Sequence, residues 1–110
     1  MKKVNRVKKY REFKAIMDLR KFKRNEIYSV YFRNKQEDVA RVGILVGKRN
    51  GNAVTRVKIK RQVRSIVDET LDLRNDVYDY IIVISKNYNV EEFAKNKSLL
   101  VTLLNSIKEK

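Results

Sequence analysis

Apolar positions along this chain alternate between a helical and a strand period, and the changes of period divide it into seven elements. Tyr10, Phe13, Ile16 and Met17 recur at three- and four-residue intervals, which predicts an amphipathic helix over residues 9–19, behind a basic arm at residues 1–8. "KFKR" reads as a short edge strand. "IYSVYFR" (27–33) and "VARVGILV" (39–46) are β-branched and aromatic runs separated by the polar "NKQED", the pattern of an antiparallel pair. The glycines and asparagines of "GKRNGN" form a turn with Asn52 as N-cap of a long helix over 53–73, whose apolar side is Val54, Ile59, Val63, Ile66 and Val67. "DYIIVIS" (79–85) is almost continuously apolar, as expected of a strand covered on both faces. Asn89 is read as the cap of a last helix with Glu91 and Glu92 in its first turn and Phe93, Leu99, Leu100, Leu103, Leu104 and Ile107 available for the core. The order α-β-β-β-α-β-α predicts an α+β fold, one four-stranded sheet covered by helices. With no proline and no linker, residues 1–110 read as a single domain.

Composition narrows the chemistry. Cysteine and histidine are both absent, which removes disulfides, the usual zinc ligands and every Cys or His nucleophile system. Asp68, Glu69, Asp72, Asp76 and Asp79 are the densest acids, but they are spread through a helix end and a loop and read as a solvated rim rather than a two-metal site. "GILVGKR" has one residue too few between its glycines for a phosphate-binding loop and lacks the following Ser or Thr. No apolar run reaches the length of a transmembrane helix, so a soluble, cytoplasmic protein with no membrane partner is expected.

Charge then changes the picture. The net charge of +14 is concentrated in two sectors: residues 1–25 hold 11 Lys/Arg against Glu12 and Asp18, and residues 39–67 hold eight against no acid. The long helix is charged backwards, since Arg56, Lys58, Lys60, Arg61 and Arg64 precede Asp68 and Glu69, whereas a helix dipole favours acids first. At about 100° per residue, Lys60, Arg61 and Arg64 share roughly a third of the circumference opposite Ile59, Val63 and Ile66, with Arg56 at the flank and Val57 inside the same arc. A row of cations with no acid one turn away repels itself, and phosphate is the natural compensation. Polyanion binding follows from this; which polyanion does not. A structural ribosomal protein, or a general nucleic-acid or anionic-membrane binder, would satisfy the same composition.

The run "RVG", then "GKRNGNAV", then R-x-x-x-K-R-x-x-R from Arg56 to Arg64 closely resembles the signature of the bacterial ribonuclease P protein component. "MKKVNRVKKYREF", "YSVYF", "DYIIVIS" and Ser98-Leu99 fall in matching order, so the likeness spans nearly the whole chain. It departs where the family usually has Asn after the first Arg and this chain has Val57, and where small polar residues usually stand near Leu45 and Gly47. The resemblance implies a left-handed β-α-β crossover and the small subunit of a ribonucleoprotein endonuclease that removes the 5′ leader from precursor tRNA. It implies that catalysis and magnesium belong to the RNA subunit, with no cofactor on the protein alone. The partners implied are the catalytic RNA and precursor tRNA. Carried onto this sequence, the RNA contacts are Lys48, Arg49, Asn52, Arg56, Lys58, Lys60, Arg61 and Arg64, and the leader contacts are Phe13, Met17, Tyr28 and Tyr31. Side chains alternate along a strand, so Tyr28 and Tyr31 face opposite ways and one of them is expected in the core.

Overall fold

The computed structural model describes residues 1–108. Its elements are α1 (Tyr10–Asp18), β1 (Phe22–Arg24), β2 (Tyr28–Asn34), β3 (Val42–Leu45), α2 (Ala53–Thr70), β4 (Tyr78–Ile84) and α3 (Phe93–Lys108), in the order predicted. The strands form one sheet in the order β1-β2-β4-β3. β2 runs antiparallel to both β1 and β4, and β3 runs parallel to β4 from Val42↔Tyr80 to Leu45↔Val83. The expected antiparallel pairing of 27–33 with 39–46 is therefore wrong. β4 is the most deeply buried strand, with Tyr80, Ile81 and Ile82 fully buried, and it lies between β2 and β3.

Period two sorts the sheet into two faces. Tyr28, Val30 and Phe32, with Tyr80, Ile82, Ile84 and Val42, point toward α2 and α3 and form the larger core with Ile59, Val63, Ile66, Val67, Leu100, Leu104 and Ile107. Tyr31, Ile81, Val83 and Leu45 point the other way, toward α1, where Val7 and Ile16 complete a second cluster. Val54 and Phe93, both expected inside, are exposed: Val54 stands about 140° from Ile59 around the helix axis, off the buried arc of α2, and Phe93 is the first residue of α3.

Three boundaries differ from expectation for local reasons. α2 ends at Thr70, not 73: Leu71 is extended, and Asp72 accepts the Arg74 N–H at 3.2 Å and the Asn75 amide at 2.7 Å, a turn that competes with helix. Asn89 caps an isolated turn through the Glu91 N–H, so Glu91 and Glu92 precede α3 instead of filling its first turn. Residues 1–8 are a folded part of the domain, not a free arm. Lys3–Asn5 make a 3₁₀ turn, the buried Asn5 donates to the Ala40 carbonyl at 2.9 Å, and Val7 N–H bonds Val42 O beside an Arg6↔Val42 bridge.

The supposed acidic rim is also partly interior. Asp79 is 1% exposed, accepts from Arg33 Nε at 3.1 Å and from the Arg41 N–H at 3.0 Å, and so ties β2 to the entry of β3. Asp76 is buried too and accepts from the Tyr80 hydroxyl at 2.9 Å. The Arg41 guanidinium reaches Glu12 of α1 at 2.8 Å, extending the chain of charges across the sheet. That hydrogen bond holds the Glu12 carboxyl below the ordinary glutamate value of 4.5.

Asp79→Ala is expected to cost about 3 kcal/mol or more in denaturant unfolding, because it strands a largely buried Arg33 and a backbone N–H. The Glu12 contribution has the opposite signature to a base. A depressed carboxyl pKa stabilises above the unfolded value and loses that effect as pH falls through the folded one. The stability gap between the wild type and Glu12→Gln should hold above about pH 4.5 and close below it in urea titrations at stepped pH.

Candidate nucleic-acid interface

The cleft beside α1 is built on two small features. Ile16, fully buried, pins the helix over β2 and β4, which sets Phe13 and Met17 half-buried along its lower flank. Beneath Phe13 lies Gly43 of β3, where an added methyl would come within 2.5 Å of the ring. The missing side chain lets the ring settle onto the sheet. Tyr31, Val83 and Leu45 supply the rest of the floor.

Tyr28 is not part of this cleft. It is 1% exposed on the opposite face, donates its hydroxyl to the Asn96 carbonyl at 2.8 Å and meets the Tyr88 ring edge-on. Burial, with Tyr88 beside it, pushes its phenol above the ordinary tyrosine range. Phe22, Leu45 and Val83 were missed by sequence reasoning. Alternation along "KFKR" and "DYIIVIS" carries the signal, but only once the pairing Phe22↔Tyr31 fixes which parity faces α1.

On the adjoining flank, Gly51 takes φ +121°, a left-handed value that side chains resist, and releases the chain into α2. Asn52 caps it by accepting the Thr55 N–H at 2.9 Å. Lys48 and Arg49 lie exposed on the preceding 3₁₀ turn, which Asn50 ties to the Ser85 carbonyl at 2.7 Å. Along α2, Arg61 is exposed, Arg56, Lys60 and Arg64 are half-buried, and Val57 is 55% exposed in the same arc. Lys58, about 200° from Lys60 around the axis, stands on the far flank, on the side where Gln62 donates to the Val90 carbonyl. The terminal acids are engaged elsewhere: the Met1 ammonium pairs with Asp68 at 2.7 Å and Lys97 with Glu69 at 2.6 Å.

The two surfaces meet. A groove of about 300 Å³ runs between the N-terminal segment, β3 and α2, with Arg6, Lys8, Lys60 and Arg64 around Phe13 and Leu45, and no acid lines it. A larger hollow of about 710 Å³ on the other side of Arg6 is of mixed sign: Glu12, Glu37 and Asp38 stand among its lysines and arginines, and Arg41 is already paired with Glu12. Among the described residues, no three acids converge as metal ligands, and no helix is long and apolar enough to cross a membrane.

An aromatic cleft opening onto an acid-free cationic groove defines a nucleic-acid-binding α+β protein. The chain belongs to the ribonuclease P protein family, whose family model, Ribonuclease P, matches residues 1–108. It is 35% identical over 109 residues to the ribonuclease P protein component of Mycoplasma capricolum, covering 98% of this chain and 100% of that protein. It is 34% identical over 105 residues to the Mesoplasma florum protein component, covering 94% and 96%. Among solved structures, the Staphylococcus aureus RNase P protein superposes with a TM-score of 0.78 at 29% identity over 94% of this chain and 95% of that one. The Thermotoga maritima RNase P protein gives 0.75 at 30% identity over 90% and 94%. The protein is thus an RNA-binding, RNA-processing subunit of an endonuclease complex and associates with ribonuclease P RNA.

Because Val57 is exposed, Val57→Asn should change stability by no more than about 0.5 kcal/mol in urea unfolding. A loss above about 1 kcal/mol would mean that the residue packs in the folded protein.

Proposed function

We propose that the chain holds the single-stranded 5′ leader of precursor tRNA in the α1 cleft while the basic row of α2 meets the catalytic RNA. The observation that carries this reading is the continuity of Phe13 with the acid-free groove of Arg6, Lys8, Lys60 and Arg64. Phe13 and Tyr31 present ring faces on which any base can stack, with Met17 as an apolar contact beside them, which suits a strand of variable sequence, and the neighbouring cations follow its phosphates. Lys48, Arg49, Arg56, Lys60, Arg61 and Arg64 neutralise phosphates of the larger RNA from one rigid helix and the turn before it. Asn52 and Lys58 have supporting positions, one committed through its side-chain oxygen to the helix cap and the other at the far flank. Bond cleavage and its magnesium stay with the RNA, a division supported by the absence of Cys and His from the chain. The protein's cations supplement counterions where leader and catalytic RNA are brought together, so it should lower the magnesium needed.

With ribonuclease P RNA at low magnesium, precursor tRNA should be cut only when the protein is also added. Cleavage by RNA-free protein that survives further purification would overturn the assignment of catalysis. Replacing Lys60, Arg61 and Arg64 with Ala should leave the unfolding midpoint nearly unchanged. It should also reduce the magnitude of the log affinity against log salt slope by about 0.7 to 0.9 for each phosphate that the protein no longer neutralises. An unchanged slope would remove α2 from the RNA interface.

A further inference from the structure

We propose that the turn joining α1 to β1 is a second grip on single-stranded RNA, in which Phe22 stacks on a base and Arg20 takes a neighbouring phosphate. The proposal rests on the leader reading of the α1 cleft and carries that cleft outward across β1.

The first observation is backbone strain. Arg20 stands just past the end of α1 with φ +56°, its N–H bonded to the Met17 carbonyl at 3.1 Å. This left-handed position after a helix is one that glycine occupies freely and L side chains resist. Strain of this kind collects where a side chain is used. The Arg20 side chain is exposed and enters no ion pair among the described residues.

The second observation is independent of the first. Phe22 pairs across β1 and β2 with Tyr31, their ring centroids 5.0 Å apart at 37°, yet remains 41% exposed. α1 packs over β2 and β4, and β1 projects beyond it. Phe22 therefore continues the surface of Phe13 and Tyr31 to the sheet's open edge. Arg24 shares its face by alternation. Between Leu19 and Asn25 the chain has four cations and no acid. Of these, Lys23 is committed to the Ser106 carbonyl at 2.9 Å on the other face, leaving Arg20, Lys21 and Arg24 exposed. An aromatic ring among unpaired cations suits an extended polyanion with bases. A second copy of this chain would bring the same charges against it.

The opposing account makes Phe22 only a cover for Tyr31 and Arg20 only a helix stop. Leader length separates the two. The holoenzyme is assembled from ribonuclease P RNA and wild-type, Arg20→Gly, Phe22→Leu or Phe13→Ala protein. Its affinity is measured for precursor tRNA with a single-nucleotide leader and with a leader long enough to pass β1. Arg20→Gly relieves the left-handed strain and should keep or raise the unfolding midpoint. It should nevertheless weaken binding of the long leader and reduce the salt slope there by about 0.7. Phe22→Leu retains an apolar cover for Tyr31 and should weaken long-leader binding by about fivefold or more. Neither variant should alter short-leader binding. If both bind the long leader like wild type while Phe13→Ala binds it less well, the second grip is refuted and the cleft stands. If Phe13→Ala is also without effect, the cleft reading itself fails. Equal losses at both leader lengths would put these residues on the catalytic RNA and overturn the proposal.

Discussion

Burial of β4 on both faces is the constraint from which the rest of the architecture follows. A strand carrying Tyr80, Ile81 and Ile82 in succession cannot leave either side in water, so it needs neighbours on both edges and helices above and below. β2 and β3 become those neighbours, and the larger core under α2 and α3 takes the even positions. The odd positions are left for α1, a single short helix, which covers part of its face and leaves a cleft. Because α2 links β3 to the adjacent parallel β4, its cationic flank comes down beside that cleft, and Lys60 and Arg64 reach the groove that contains Phe13.

Much of this was legible in the sequence wherever the signal was local. Asn52 as a cap, the apolar face of α2 from Ile59 to Val67 and the double burial of β4 need only short-range periodicity. Pairing was not legible, because β2 and β3 are both apolar and adjacent in sequence, yet the distant β4 lies between them and pairs with both. The same gap hid the parity of the sheet: that Tyr28 and Tyr31 must part company was clear, but which of them met α1 depended on register. The N-terminal segment deceived differently, its burial resting on Asn5 and Val7 among lysines that read as a solvated tail. Asp79 looked like a surface acid because its partners Arg33 and Arg41 are distant in sequence.

The reversed charge of α2 is sustained by tertiary ion pairs. Asp68 and Glu69 would otherwise lie near the negative end of the helix dipole, and each is offset by a cation from another segment. Arg56, Lys60, Arg61 and Arg64 receive no such partner among the described residues. Acids on this helix are thus neutralised within the fold, and its cations are left for an external anion.

The N-terminal segment has a further consequence through its bridge to Val42. β3 lies at one edge of the sheet, where unpaired backbone groups would template addition of a foreign strand, and the Val7 N–H to Val42 O bond occupies part of that row. The opposite edge, β1, is only three residues long and carries Lys23 and Arg24, with Lys21 just before it. One margin is therefore covered at its start by the chain's own backbone and the other is guarded by like charge. Both features oppose edge-to-edge pairing of an apolar sheet, while like charge at the margin beside Phe22 favours a strand of opposite charge.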